Sequence, residues 1–185
     1  MQSPTQSAST AQLVSLHRAC IVGDCTVAQR LLEAGADANE LVEDDNGLMY
    51  TPLHYACGYG HLDMVRLLLQ HGAEVNKANN WGDTPLHQAC GEGHLAVAQL
   101  LLAEGAQVDK VVDGEGTPLH MACHNGHLNA VKLLLEHGAD PMKADEDGNT
   151  PLDIARLRGH EDIVRLLVQH GAVDPEAAKA DAVMA

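Results

Sequence analysis

Thr84-Pro85-Leu86-His87 decides the reading of this chain, because the same four residues stand at Thr51-Pro52-Leu53-His54 and at Thr117-Pro118-Leu119-His120. A fourth copy, Thr150-Pro151-Leu152-Asp153, differs in its last residue. Each copy begins 33 residues after the one before. A period of that size belongs to stacked supersecondary units, none of which can bury its apolar face alone. Within the unit, Thr84 suits an N-cap and Pro85 suits the first helical position, where no backbone donor is lost. The helix so started runs through Leu86, Ala89 and Cys90 and ends near Gly91 to Gly93, where glycine permits the reversing turn. A second helix follows His94, with Leu95, Ala98, Leu101 and Leu102 at helical spacing, and Gly105-Ala106 closes it. The stretch from Val108 to Gly116 is polar and turn-rich, as a projecting hairpin is.

This motif, held in register over four copies, resembles the ankyrin repeat, and the resemblance covers about Ala11 to Asp174. It implies an all-α repeat solenoid of stacked helix-turn-helix units joined by β-hairpin loops. The five units fall at about 11–46, 47–79, 80–112, 113–145 and 146–174, with tails at 1–10 and 175–185. Aligning Gly23 with Gly60 puts Val14-Ser15-Leu16-His17 at the motif of the first unit, which lacks Thr-Pro as an N-terminal cap would. The stretch Asn39 to Thr51 is four residues longer than Asn76 to Thr84 and carries Glu43, Asp44, Asp45, Asn46 and Gly47, so the first hairpin is long and acidic. The fifth unit puts Glu161 where Leu62, Leu95 and Leu128 stand in others, a polar change suited to a unit with no neighbour on that side.

Composition excludes several functions. With 45% hydrophobic and 20% charged residues the chain has the make-up of a folded domain, and no apolar run approaches the roughly 18 residues of a membrane span. Residues Met1 to Thr10 read as a loose tail without the pattern of a secretory signal or transit peptide. A net charge of -15 repels nucleic-acid phosphates and anionic membranes and favours a basic protein partner.

Cysteine and histidine follow the repeat. Cys20, Cys57, Cys90 and Cys123 share one position, and stacked equivalents lie about 10 Å apart, beyond disulfide or shared-metal reach. They read as small core residues, without metal, and free thiols in this number point to a reducing compartment, cytoplasm or nucleus. Of the twelve histidines, His17, His54, His87 and His120 hold the motif position. His61, His94, His127 and His160 follow the inter-helix glycine, while His71, His137 and His170 precede the Gly-Ala stop. The resemblance gives His54, His87 and His120 a structural role, bonding to neighbouring backbone. His124 alone sits at a variable position and has no nucleophile or carboxylate constellation around it. Asp145, Asp147 and Asn149 imitate the start of a calcium loop, but Thr150 and Arg156 stand where glycine and glutamate are needed. No motif nominates catalysis or a cofactor.

The chain has no Phe, and Tyr50, Tyr55, Tyr59 and Trp81 crowd into a short span, none at a core position of the pattern. By resemblance, partners bind to hairpin tips and the open side of the first helices, which line a concave face. Grouped Tyr and Trp there have the composition of an interface anchor. The expected face comprises Leu48, Met49, Tyr50, Tyr55, Tyr59, Asn80, Trp81, Asp83, Gln88, Glu92, Met121, His124 and Asn125. Hairpin carboxylates Asp44, Asp45, Asp83, Asp113, Glu115, Asp145, Glu146 and Asp147 would rim it. The expected function is non-catalytic binding of a protein partner, as an adaptor or inhibitor that is a monomer on its own. A structural subunit of a larger assembly, or a targeting subunit for a separate enzyme, is the alternative. The resemblance also marks Asn76, after Val75 and eight residues beyond Leu68, as a candidate for asparaginyl hydroxylation.

Overall fold

The computed structural model describes residues 15–43, 47–112 and 116–173. The tails, Asp44, Asp45, Asp113 and Glu115 lie outside the described residues.

Ten helices, in five antiparallel pairs, make up the described residues. The first member of each pair is α1 (Leu16–Val22), α3 (Pro52–Gly58), α5 (Pro85–Gly91), α7 (Pro118–Asn125) and α9 (Pro151–Leu157). The second members are α2 (Cys25–Glu33), α4 (Leu62–Gln70), α6 (Leu95–Ala103), α8 (Leu128–Glu136) and α10 (Glu161–Gln169). First helices pack on first helices and second on second, so the molecule is two helical layers with the core between them. One leucine of the motif from each unit, Leu16, Leu53, Leu86, Leu119 and Leu152, runs through that core, opposed by Leu68, Leu101, Leu134 and Leu167 of the second layer. The cysteines at the repeated position are buried beside them, with their thiols free.

The motif works as an N-terminal clasp. Thr51 precedes α3 in extended conformation, and its backbone N–H donates to His54 Nδ1 (3.2 Å) while its hydroxyl meets the same nitrogen at 2.8 Å. The ring's other nitrogen then carries the proton and donates to the Asp83 carbonyl, 3.0 Å away at the end of the next hairpin. Thr84 and His87 repeat this, His87 Nε2 reaching the Lys110 carbonyl, and Thr117 and His120 repeat it again towards the Asn149 carbonyl. In the first unit Ser15 replaces threonine, accepting from Arg18 N–H, and His17 reaches the Glu40 carbonyl. The fifth unit explains its own departure. Asp153 Oδ2 accepts from the Thr150 N–H (2.8 Å) and hydroxyl (2.6 Å), which keeps the local clasp, and no sixth hairpin lies beyond it among the described residues to be reached.

A second ladder joins the repeats at the start of each second helix. His61 Nε2 reaches the Ile21 carbonyl (3.1 Å) and His94 Nε2 the Gly58 carbonyl (3.0 Å), satisfying acceptors that a helix C-terminus leaves open. A third runs along the hairpins: Asn39 bridges to Gly72 and Glu74, and Asn76 to Gly105 and Gln107, both ends of each amide engaged. Asn76, the candidate for hydroxylation, is thus a rung of this ladder.

The hairpins are unequal. The first pairs β1 (Val42–Glu43) with β2 (Met49–Tyr50) antiparallel, and Val112 forms a bridge with Gly116 in the third. The second and fourth are tight turns closed by Asn79 N–H to the Asp83 carbonyl (2.8 Å) and Asp145 N–H to the Asn149 carbonyl (2.9 Å).

Candidate functional site

A cleft lies between α3 and α5, beside the end of strand β2. It has a volume of about 410 Å³ and is lined by Tyr50, His54, Tyr55, Gly58, Tyr59, Gln88 and Glu92. Each lining residue arrives for a local reason. Tyr50 ends strand β2 one residue before the Thr51 cap, so the hairpin delivers its ring to the start of α3. Tyr55 lies on the first turns of α3, and Tyr59 caps its C-terminus. Gln88 and Glu92 repeat the positions of Tyr55 and Tyr59 one unit later, Glu92 being the C-cap of α5.

The aromatic rings are fixed by one another. Tyr50 and Tyr55 meet edge to face, centroids 5.5 Å apart at 64°, and Tyr55 meets His17 of the preceding unit at 5.8 Å and 88°. Tyr59 stacks on His61 at 6.2 Å and 14°. Such contacts hold the rings in place, so less conformational freedom is lost when a ligand seats against them. His54 in the wall has its pKa pushed down to about 4, chiefly by burial, against the pull of its bond to the Asp83 carbonyl, so it adds no charge to the cleft near neutral pH.

Five of the expected contact residues therefore converge: Tyr50, Tyr55, Tyr59, Gln88 and Glu92. The rest of the expected face is more varied. Trp81 is 55% exposed at the tip of the second hairpin, and Tyr59 is exposed to the same degree. Asn80 ties two hairpins together, accepting from Met49 N–H (3.0 Å) and donating to the Gly47 carbonyl (3.1 Å). Leu48, Met49 and Met121 are half-buried, Met121 packing over Gly91. Asn125 donates to the Gly91 carbonyl (2.8 Å), and the exposed His124 contacts Arg158 of the last unit.

Two expectations are corrected. Asp83 is only 4% exposed, so it is not a rim carboxylate. Its N–H donates to the Asn79 side-chain oxygen (2.9 Å), and its Oδ2 accepts from Asn79 Nδ2 (3.3 Å), closing the tight turn from within. Tyr55, expected on the solvent side, is half-buried and packs on the hydrophobic core. Of the remaining described rim residues, Glu146 and Asp147 are exposed, and Asp145 accepts from Asn149 N–H (2.8 Å) to close its own turn.

Sequence reasoning missed His54 and Gly58 as cleft lining. Gly58 left a usable signal. It is the last residue of α3 and has no positive φ to require it, and its lack of a side chain leaves space in the cleft wall. The third unit repeats this glycine as Gly91, while His124 and Leu157 occupy the position in the fourth and fifth units.

No group of His, Cys, Asp and Glu among the described residues could hold a metal ion, and no described helix is long and apolar enough to cross a membrane. A family model described as Ankyrin repeats (3 copies) matches residues 16–112 and, again, 107–178. No curated protein matches the chain. Ankyrin repeats are generally non-catalytic modules of protein–protein interaction. The motif clasp, the paired helical layers and the family match agree: the chain belongs to the ankyrin-repeat family.

Proposed function

We propose that this protein is a non-catalytic binding module that docks a partner protein on the face made by its first helices and hairpins, acting as an adaptor or inhibitor. The observation that carries this reading is the tyrosine-lined cleft between α3 and α5, with the exposed indole of Trp81 on the neighbouring hairpin. Tyrosine and tryptophan anchors bury large areas at small entropic cost and dominate interface energies. The net charge of -15 favours a partner with a basic surface, steering its approach while the aromatic cleft holds it. The buried free thiols suit a reducing compartment, cytoplasm or nucleus.

The test is affinity capture from native lysate with the wild-type chain and with Tyr59→Ala combined with Trp81→Ala. Both side chains are exposed, so the variant is expected to melt with the wild type. Loss of a captured protein from the equally stable variant supports the reading, and unchanged capture contradicts it.

A further inference from the structure

The cleft has a chemistry more specific than that of a general anchor. Three tyrosines and one carboxylate line it, with no lysine or arginine among the lining residues. The C-terminal ends of the first helices form a row at intervals of one repeat: Tyr59, Glu92, Asn125 and Arg158. Only at the Tyr59–Glu92 step does an aromatic ring stand next to an acid. Further along, Arg158 and the His124 ring it contacts make the row a poor neighbour for a cation.

We infer that the cleft is a socket for one arginine side chain of the partner, its guanidinium seated against Tyr50, Tyr55 and Tyr59 and paired with the Glu92 carboxylate. This rests on the reading of the same face as a partner-binding surface. Aromatic faces carry negative potential and attract cations within about 6 Å of the ring centre. A guanidinium suits the site better than an ammonium, because it is planar, stacks on aromatic rings, is more weakly hydrated and can fork onto a carboxylate. An acidic side chain would meet Glu92 and the field of a chain with net charge -15. A volume of about 410 Å³ accepts the guanidinium and its stem with room for the peptide backbone that carries them. His54, uncharged near neutral pH, leaves the attraction unopposed.

The full chain, labelled for nuclear magnetic resonance, is titrated with the blocked peptide Gly-Ser-Arg-Ser-Gly and with its lysine and glutamine analogues. The arginine peptide is expected to shift Tyr59 and Glu92 resonances saturably, the lysine analogue more weakly and the glutamine analogue not at all. Glu92→Gln should weaken the arginine peptide about fivefold and Tyr59→Ala about threefold, both without change in melting, since both residues are exposed. Equal response to arginine and glutamine, equal response to arginine and lysine, no saturable shift at these two residues, or unchanged affinity in both variants would each overturn the socket. If the arginine peptide fails while the Tyr59→Ala, Trp81→Ala chain still loses its captured protein, the binding face stands and only the socket falls. If both fail, the face itself is misassigned.

Discussion

His54 reaches across a repeat boundary to Asp83: its Nε2 donates to the Asp83 carbonyl oxygen at 3.0 Å, while its Nδ1 is held by Thr51 at the start of its own helix. One neutral ring thus fastens a helix cap and the next hairpin at once. Protonating Nδ1 would turn an acceptor of two bonds into a donor facing donors.

Acid should therefore loosen the array in a defined window. His54 and His87 both have pKa values pushed down to about 4, chiefly by burial, and His17 and His120 are lowered for the same reason. An unfolded histidine titrates near 6.5, so above that pH both states are neutral and stability is complete. As pH falls from about 6.5 towards 4, the unfolded state takes up protons that the folded state refuses. Each deeply buried ring then loses about 1.4 kcal/mol per pH unit, on the order of 3 kcal/mol over the window. Denaturant unfolding across this range should show that slope. His87→Gln should lower stability at neutral pH and flatten the slope. A profile level down to pH 4.5 would contradict the assignment.

Two glycines separate backbone strain from packing. Gly60 and Gly72 both have positive φ, 71° and 83°, where a side chain is unfavourable. A Cβ on Gly72 meets nothing within 4 Å, but on Gly60 it would lie 2.5 Å from the ring of His94, which the Gly58 carbonyl holds in place. Gly72→Ala should cost about 1 kcal/mol, the strain alone, and Gly60→Ala at least twice that because the inter-repeat bond is pushed aside. Thermal melts of the two variants decide it.

The thiols should differ as their burial does. Burial pushes Cys20 and Cys90 up to about 12 and Cys57 and Cys123 upward as well, so none forms a thiolate at neutral pH. Cys25, on the second helix of the first unit, is half-buried. Alkylation of the native protein followed by mass spectrometry should modify Cys25 first and leave the other four until denaturant is added.

Much of this was legible in the residues. Thr-Pro-Leu-His at a constant interval carries both the cap and the cross-repeat bond and marks the three middle helix pairs, Thr150-Pro151-Leu152-Asp153 keeps the cap alone, and Val14-Ser15-Leu16-His17 is placed by register. The polar hairpins were less transparent. Asp83 and Asp145 look alike in sequence to a solvated carboxylate, but each folds back to close a turn, and nothing in a run of polar residues says which will do so. Tyr55 misled for a related reason. Its position is open in the pattern, and only the rings of Tyr50 and His17 beside it press it onto the core. The cleft itself is a product of three separate places, a strand end, a helix face and the next helix's cap, joined by the stacking of units.

The most direct test of the account fills the cleft without removing any contact residue. Leu157 occupies the position of Gly58 in the last unit at 80% exposure, so the local backbone accepts leucine there, and a Cβ on Gly58 would make only an ordinary contact, 3.6 Å, with Gln88. The affinity of the captured partner should be measured for the wild type, for Gly58→Leu, and for Gln99→Leu on the exposed side of α6, with melting temperatures alongside. Gly58→Leu is expected to weaken binding at least tenfold, about 1.4 kcal/mol, in a chain as stable as the wild type, while Gln99→Leu binds normally. Full affinity in Gly58→Leu, or loss in Gln99→Leu alone, would contradict it and move the binding site to the second helical layer.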